Sequence, residues 1–221
     1  LFKIFAGIDV FDIEISTKNI EEFIQTVKNI APTFGGINLE DIKAPESFEI
    51  ERRLVEELNI PVMHDDQHGT AIISSAALLN ALELAGKKAE DMKMVVSGAG
   101  SAALACANLY ILLGVKLENI YMFNSKGLLT KGNSSLSDLQ QKYARDMDPI
   151  SLEEALVDAD IFLGLSSGDI MTPDMLLGMA ENPIVFAMAN PVPEIDYNLA
   201  IATRKDVIMA TGRSDFPNQV N

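Results

Sequence analysis

The sequence predicts an α/β protein, a doubly wound parallel sheet preceded by the remnant of a smaller α/β domain. Three observations carry this prediction. Beyond Thr70, apolar runs of four or five residues alternate with helical patterns, at 94–97, 119–123, 161–165, 184–188 and 207–210. Runs that are apolar throughout need burial on both faces, which a helix-covered parallel sheet provides. A glycine-rich turn, Gly98-Ala-Gly-Ser-Ala-Ala103, sits between the first of these strands and a helix. Before about residue 66 the pattern is instead mixed, and it ends in a cluster of acids.

The elements follow in order. Residues 4–10 form a short apolar run, read as a strand. Residues 20–30 place Ile20, Phe23, Ile24, Val27 and Ile30 at helical spacing. Residues 33–37 are a strand candidate broken by Gly35-Gly36, 48–58 a helix, and 60–63 a strand that runs into the acids. The opening Leu1-Phe-Lys has no Met, cap or polar lead-in, so the chain is expected to be a fragment that starts inside an element. In the second part, a helix over 70–85 has Gly86 suited to its C-terminal cap. A helix over 102–113 ends at Gly114. Ser151-Leu-Glu-Glu154 is a capping box, and Thr172-Pro173 supplies the cap and first residue of another helix. Residues 131–137 are the most loop-like stretch. Two domains are expected, 1–66 and 67–221, the second incomplete at its C-terminus.

Composition narrows the function classes. The net charge is −15, with no cluster of Lys or Arg to interrupt it, which disfavours nucleic acid and anionic membranes as partners. Cys106 is the only cysteine, so no intrachain disulfide forms, and a reducing cytoplasmic compartment fits. The longest apolar helix candidate, 71–85, contains Asn80 and Glu83 and is too short to span a bilayer.

Two clusters carry chemistry. In Gly98-Ala99-Gly100-Ser101-Ala102-Ala103, the first glycine allows a tight turn, the second lets backbone approach a pyrophosphate, and the small third position lets helix pack on strand. The helix start then offers unpaired N–H groups to phosphate. The competing reading is a structural turn. No carboxylate stands near the end of the second strand, where a ribose-binding acid is expected roughly 20 residues on. Asn124 can bond a ribose hydroxyl and Lys126 can meet a 2′-phosphate, which leans toward NADP over NAD; an ordinary polar turn is the alternative. Ser166 and Asn190 follow the strands 161–165 and 184–188, at the carboxyl ends where such sheets bind ligands.

The second cluster pairs Glu40-Asp41 with Asp65-Asp66, the latter inside His64-Asp-Asp-Gln-His-Gly-Thr70. Adjoining acids repel unless a cation separates them, and carboxylates outnumbering histidines favour Mg²⁺ or Mn²⁺ over Zn²⁺. Solvated loop carboxylates are the competing reading. His64 and His68 are expected to orient loops or pair with these acids.

Three motifs, Gly35-Gly-Ile-Asn-Leu-Glu-Asp-Ile-Lys-Ala-Pro45, Ile60-Pro-Val-Met-His-Asp-Asp-Gln-His-Gly-Thr70 and Ala210-Thr-Gly-Arg-Ser-Asp-Phe-Pro-Asn-Gln-Val-Asn221, resemble the malic enzymes in their shorter bacterial form, over the whole length. The resemblance implies a Rossmann-like domain that binds NADP or NAD. It implies Glu40, Asp41 and Asp66 as ligands of Mg²⁺ or Mn²⁺, and Asp65 as the acid that supports a catalytic lysine. Ala99, Gly100, Ser101 and Ala102 match the cofactor phosphate site, beside the turn glycine Gly98. Asn190 and Asn221 match asparagines near nicotinamide and substrate. The implied reaction is oxidative decarboxylation of malate to pyruvate and CO₂, in a homo-oligomer, expected to be a dimer. The family's lysine would stand three residues before Leu1 and its tyrosine further upstream, so Lys3 does not match and this chain alone is expected to be inactive on malate. A catalytically dead metal- and dinucleotide-binding module and an oxaloacetate decarboxylase are the alternatives.

Overall fold

A computed structural model of the chain describes residues 2–220. It divides into two compact units, Leu1–Met63 and His64–Asn221.

Among its described residues the first unit holds three α-helices. Helix α1 (Phe2–Ala6) stands where a strand is predicted. Gly7, at φ +67°, donates to the Lys3 carbonyl and ends the helix in the left-handed region. A strand also needs a ladder partner, and among the described residues this segment has none. Helix α2 (Ile20–Ile30) is capped by Asn19, whose side chain accepts from the Glu22 N–H. Pro32 then starts a single 3₁₀ turn, Ala31–Thr33, so strand β1 (Ile37–Leu39) begins after the two glycines rather than before them. Helix α3 (Glu46–Glu57) and strand β2 (Val62–His64) complete the unit's elements, β2 pairing with β1. Ile24, Val27, Leu39, Ile50 and Leu54 form its core. Arg53 of α3 links to α2 by an ion pair with Glu21, and pairs with Glu57 within its own helix.

The second unit opens with helix α4 (Asp65–Ala85), five residues earlier than predicted. Asp65 and Asp66 therefore lie in its first turn, where their charge complements the helix dipole. Gly69 does not break the helix, because the space a Cβ would fill is occupied by the Asp65 carboxylate, 2.2 Å from the built position. Gly86 closes α4 at φ +67°, as predicted. Strand β3 (Met94–Ser97), helix α5 (Ser101–Leu112) and strand β4 (Ile120–Asn124) follow. The sequence reading missed strand β5 (Gly127–Leu128) and helix α6 (Asp138–Gln141), each too short to show a period. Helix α7 (Leu152–Leu156) has both bonds of its capping box, then come β6 (Ile161–Gly164), α8 (Pro173–Leu177) capped by Thr172, and β7 (Ile184–Ala187). Helix α9 (Tyr197–Thr203), also unpredicted, is capped by Asp196 and leads to β8 (Ile208–Thr211).

The sheet order is β5-β4-β3-β6-β7-β8. Every pair is parallel except β4 with β5, a small antiparallel departure from the predicted parallel sheet. Side chains alternate between faces. Val95, Phe162, Val185 and Met209 pack with Leu156, Leu176 and Ala200 of α7, α8 and α9. Met94, Val96, Leu163 and Phe186 point to the other face, where α4 packs on α5 and β7. The register aligns Phe123, Ser97, Gly164, Ala187 and Thr211 in one row across the sheet. Loops leaving that row emerge along one edge. No helix among the described residues is long and apolar enough to cross a membrane.

Candidate dinucleotide-binding site

The chain runs from β3 outward to β4, then returns across β3 to β6. That reversal makes a crevice at the carboxyl ends of β3 and β6, the place where open α/β sheets bind ligands. The glycine turn stands at this crevice. Gly98 has φ +121°, and a Cβ there would lie 2.5 Å from the Leu165 carbonyl oxygen. It is glycine for both reasons, backbone conformation and the close approach of the β6 loop. Its N–H donates to Phe123 (2.9 Å) and the Leu165 N–H to Ser97 (2.8 Å), so the turn is held from both sides.

Gly100 differs. A Cβ on it would meet nothing within 4 Å. The protein itself makes no demand for glycine here; the open space lies over the start of α5. Gly100 caps α5 without a side-chain bond, and Ser101 and Ala102 are its first residues. Their N–H groups are oriented to donate to phosphate oxygens. Ala103 is buried, as close helix–sheet packing requires.

Ser166, Asn190 and Asn124 stand at or just beyond the carboxyl ends of strands along the same edge. Ser166, in the loop after β6, shares a 2.8 Å hydrogen bond with the Ser97 hydroxyl. Asn190 is exposed, three residues beyond the end of β7. Asn124 ends β4, and its Oδ1 accepts from the Lys126 N–H at 2.8 Å, so half of its amide is spent on the turn. Asp65 leans over Gly69 within α4. Asp66, with a side chain 47% exposed, stands 3.7 Å from the Nε2 of buried His64. That pairing agrees with the expectation that a histidine meets these acids.

Glu40 and Asp41 belong to the first unit, directly after β1. Glu40 accepts from the Asn38 amide (2.9 Å), and Asp41 adopts φ +54°. Glu40, Asp41 and Asp66 are thus divided between the units. Among the described residues, no group of three or more His, Cys, Asp or Glu within either unit is placed to hold a metal ion. The donor chemistry is nonetheless uniform, three hard carboxylates, which suits Mg²⁺ or Mn²⁺. Asn221, the expected substrate residue, lies outside the described residues.

Three residues that shape this edge were missed in the sequence reading. Gln140 of α6 donates from Nε2 to the Ala99 carbonyl (2.9 Å), while its Oε1 caps the helix by accepting from Ser137. Only its capping-box position could have flagged it. Arg213 forms two hydrogen bonds with Asp215 and donates to the Pro191 carbonyl (2.5 Å), bracing the loop that carries Asn190. Glu194 is fully buried and accepts from the N–H groups of Ser166 (3.1 Å) and Ala189 (3.0 Å). Burial pushes its carboxyl above the usual range, against the pull of those two donors.

Comparison with known proteins agrees with this geometry. The family model for the malic enzyme NAD-binding domain matches residues 67–220, and that for the malic enzyme N-terminal domain matches residues 14–55. The chain is 55% identical to the NAD-dependent malic enzyme of Rhizobium meliloti (strain 1021), covering 100% of the chain and 29% of that protein. It is 53% identical to the NADP-dependent malic enzyme of Halomonas elongata, covering 100% and 52%. Among solved structures, it resembles the NAD-dependent malic enzyme of Thermotoga maritima with a TM-score of 0.93 and 46% identity, over 100% of the chain and 59% of that structure. The malic enzyme of Pyrococcus horikoshii gives a TM-score of 0.90 at 41% identity, over 100% and 53%. The chain therefore spans from under a third to about half the length of these two curated relatives.

Proposed function

Because the chain belongs to the malic enzyme family, we propose that it supplies the dinucleotide site and part of the metal site of a protein that oxidises malate to pyruvate and CO₂ with reduction of NAD(P). The observation that carries this reading is the glycine turn at the sheet's reversal, with open space over Gly100. The turn and the first N–H groups of α5 hold the pyrophosphate. The loops after β6 and β7, with Ser166 and Asn190, border the nicotinamide. The dinucleotide supplies hydride acceptance from C2 of malate. Glu40, Asp41 and Asp66 are the proposed ligands of Mg²⁺ or Mn²⁺, which supplies polarisation of the substrate oxygen. Asp65, whose carboxylate lies beside Gly69, is proposed to be the acid that supports the catalytic lysine of the whole protein. The whole protein is proposed to work as a homodimer in the cytoplasm.

NADP is the preferred dinucleotide. The end of β4 carries Asn124 and exposed Lys126 instead of a carboxylate, so nothing there repels a 2′-phosphate.

The activity is tested by NAD(P)H formation from malate with Mn²⁺ in the whole protein. Absence of turnover with either dinucleotide would overturn it. The site is tested in the chain itself. Gly100→Val is expected to fold normally, since a Cβ meets nothing within 4 Å. It should bind NADP about tenfold more weakly or worse, because the side chain fills the space of the pyrophosphate and displaces charge-assisted hydrogen bonds. Calorimetric titration of wild type and variant measures this, and equal affinity would remove the turn from the site.

A further inference from the structure

Among the described residues, Glu194 is the one buried carboxylate, it lies at the proposed ligand edge of the sheet, and the glycine turn does not account for it. It lies in no strand or helix, two residues before α9 begins at its Asp196 cap. It is 0% exposed. Gly164, the last residue of β6, exists as glycine beside it: a Cβ there would lie 2.2 Å from the Glu194 carboxyl carbon. The two carboxylate oxygens are divided between two loops. Oε1 accepts from Ser166 in the loop after β6, and Oε2 accepts from Ala189 in the loop after β7, adjacent to Asn190. The main chain reinforces the junction, since Met171 donates to the Glu194 carbonyl (2.9 Å) and Asp169 to that of Pro193 (3.0 Å). Ser166 in turn reaches the Ser97 hydroxyl at the end of β3.

Sheet order decides which half of the ligand this junction serves. With pyrophosphate on the turn after β3, one nucleotide lies toward β4 and the other toward β6 and β7. The end of β4 is the ribose site of the adenosine half. The loops joined by Glu194 therefore face the nicotinamide half.

We propose that Glu194 is a positioning residue for the nicotinamide half of the dinucleotide, holding the Ser166 and Asn190 loops at a fixed separation through one carboxylate. This rests on the dinucleotide reading given above. A carboxylate suits the task because it accepts at both oxygens. The isosteric amide of Gln accepts at only one, and its NH₂ group would face a backbone N–H. Glu194→Gln therefore leaves either the Ser166 or the Ala189 N–H without an acceptor and frees one loop.

The experiment is calorimetric titration of the 221-residue chain, wild type and Glu194→Gln, with NADP and NAD, and with the fragments adenosine 2′,5′-bisphosphate and ADP. The variant should bind the whole dinucleotides about tenfold more weakly, the cost of one unsatisfied buried donor. It should bind the adenosine fragments as wild type does. Equal losses for dinucleotide and fragment would make Glu194 a general structural residue and overturn the assignment, as would unchanged affinity for both. If wild type binds no dinucleotide, the reading of the glycine turn falls and this one with it. Should the variant not fold, amide hydrogen exchange on the wild type decides. The Ser166 and Ala189 amides should slow further with NADP but not with adenosine 2′,5′-bisphosphate. An identical response to both ligands would overturn the proposal.

Discussion

Asp66→Asn in the whole protein is expected to lower NAD(P)H formation from malate about 10³-fold or more, with dinucleotide affinity unchanged. The magnitude follows from the several kcal/mol that a polarising cation contributes to a developing charge, at a factor of ten for each 1.36 kcal/mol. The substitution is suited to the test because Asp66 has little structural work to do. Its side chain is 47% exposed, and it stands 3.7 Å from the Nε2 of His64. Asn keeps the shape and tolerates the first turn of α4, though it gives up the favourable interaction with the helix dipole, a cost of about 0.3–1 kcal/mol. The checks are steady-state rates over a range of Mn²⁺ concentrations and a separate NADP titration. An Asp66→Asn protein that keeps wild-type turnover would exclude Asp66 from the ligand set. Rescue of the rate at high Mn²⁺ would place the loss in metal affinity.

Gly98→Ala is expected to lower the stability of the chain by about 3 kcal/mol, the contrast to Gly100→Val two residues later. Two costs add. The residue must hold φ +121°, outside the regions that L side chains readily adopt, for about 1–2 kcal/mol. The new methyl would also lie 2.5 Å from the Leu165 carbonyl oxygen, a backbone atom that cannot rotate away, and overpacking of this kind costs about 1–3 kcal/mol. Urea unfolding of wild type, Gly98→Ala and Gly100→Val measures the difference. The first variant should unfold at clearly lower denaturant and the second near wild type. Equal midpoints for the two would show that the β6 loop yields freely to the turn.

The pair of glycines shows how far the sequence could be read. Its G-x-G-x-x-A spacing, with a strand before and a helix after, pointed to a phosphate turn, and the sheet places that turn at the reversal between β3 and β6. The apolar runs were equally plain. The strands at 94–97 and 161–165 and the helix at 20–30 appear within a residue of their predicted bounds, because full burial and helical spacing are local properties of the chain. Caps were legible for the same reason: Ser151 and Thr172 bond N–H groups only three residues away.

Much of what failed depended on a partner distant in sequence, and the rest fell on elements too short to show a period. Residues 4–10 have the composition of a strand, but a strand exists only where another strand accepts its hydrogen bonds, and α1 formed instead. Helix α4 begins five residues before its predicted start, and Gly69 lies within it with the Asp65 carboxylate in the space its missing side chain leaves. Glu194 reads as one acid in a proline-rich turn. Only the folded sheet brings it to the Ser166 N–H, 28 positions earlier, and gives it Gly164 as a neighbour. The sequence by itself determined the layers, the glycine turn proposed to meet phosphate and the family. Tertiary structure alone decided which side chains brace the proposed ligand edge, since a buried hydrogen bond is specified by two segments at once and neither carries it alone.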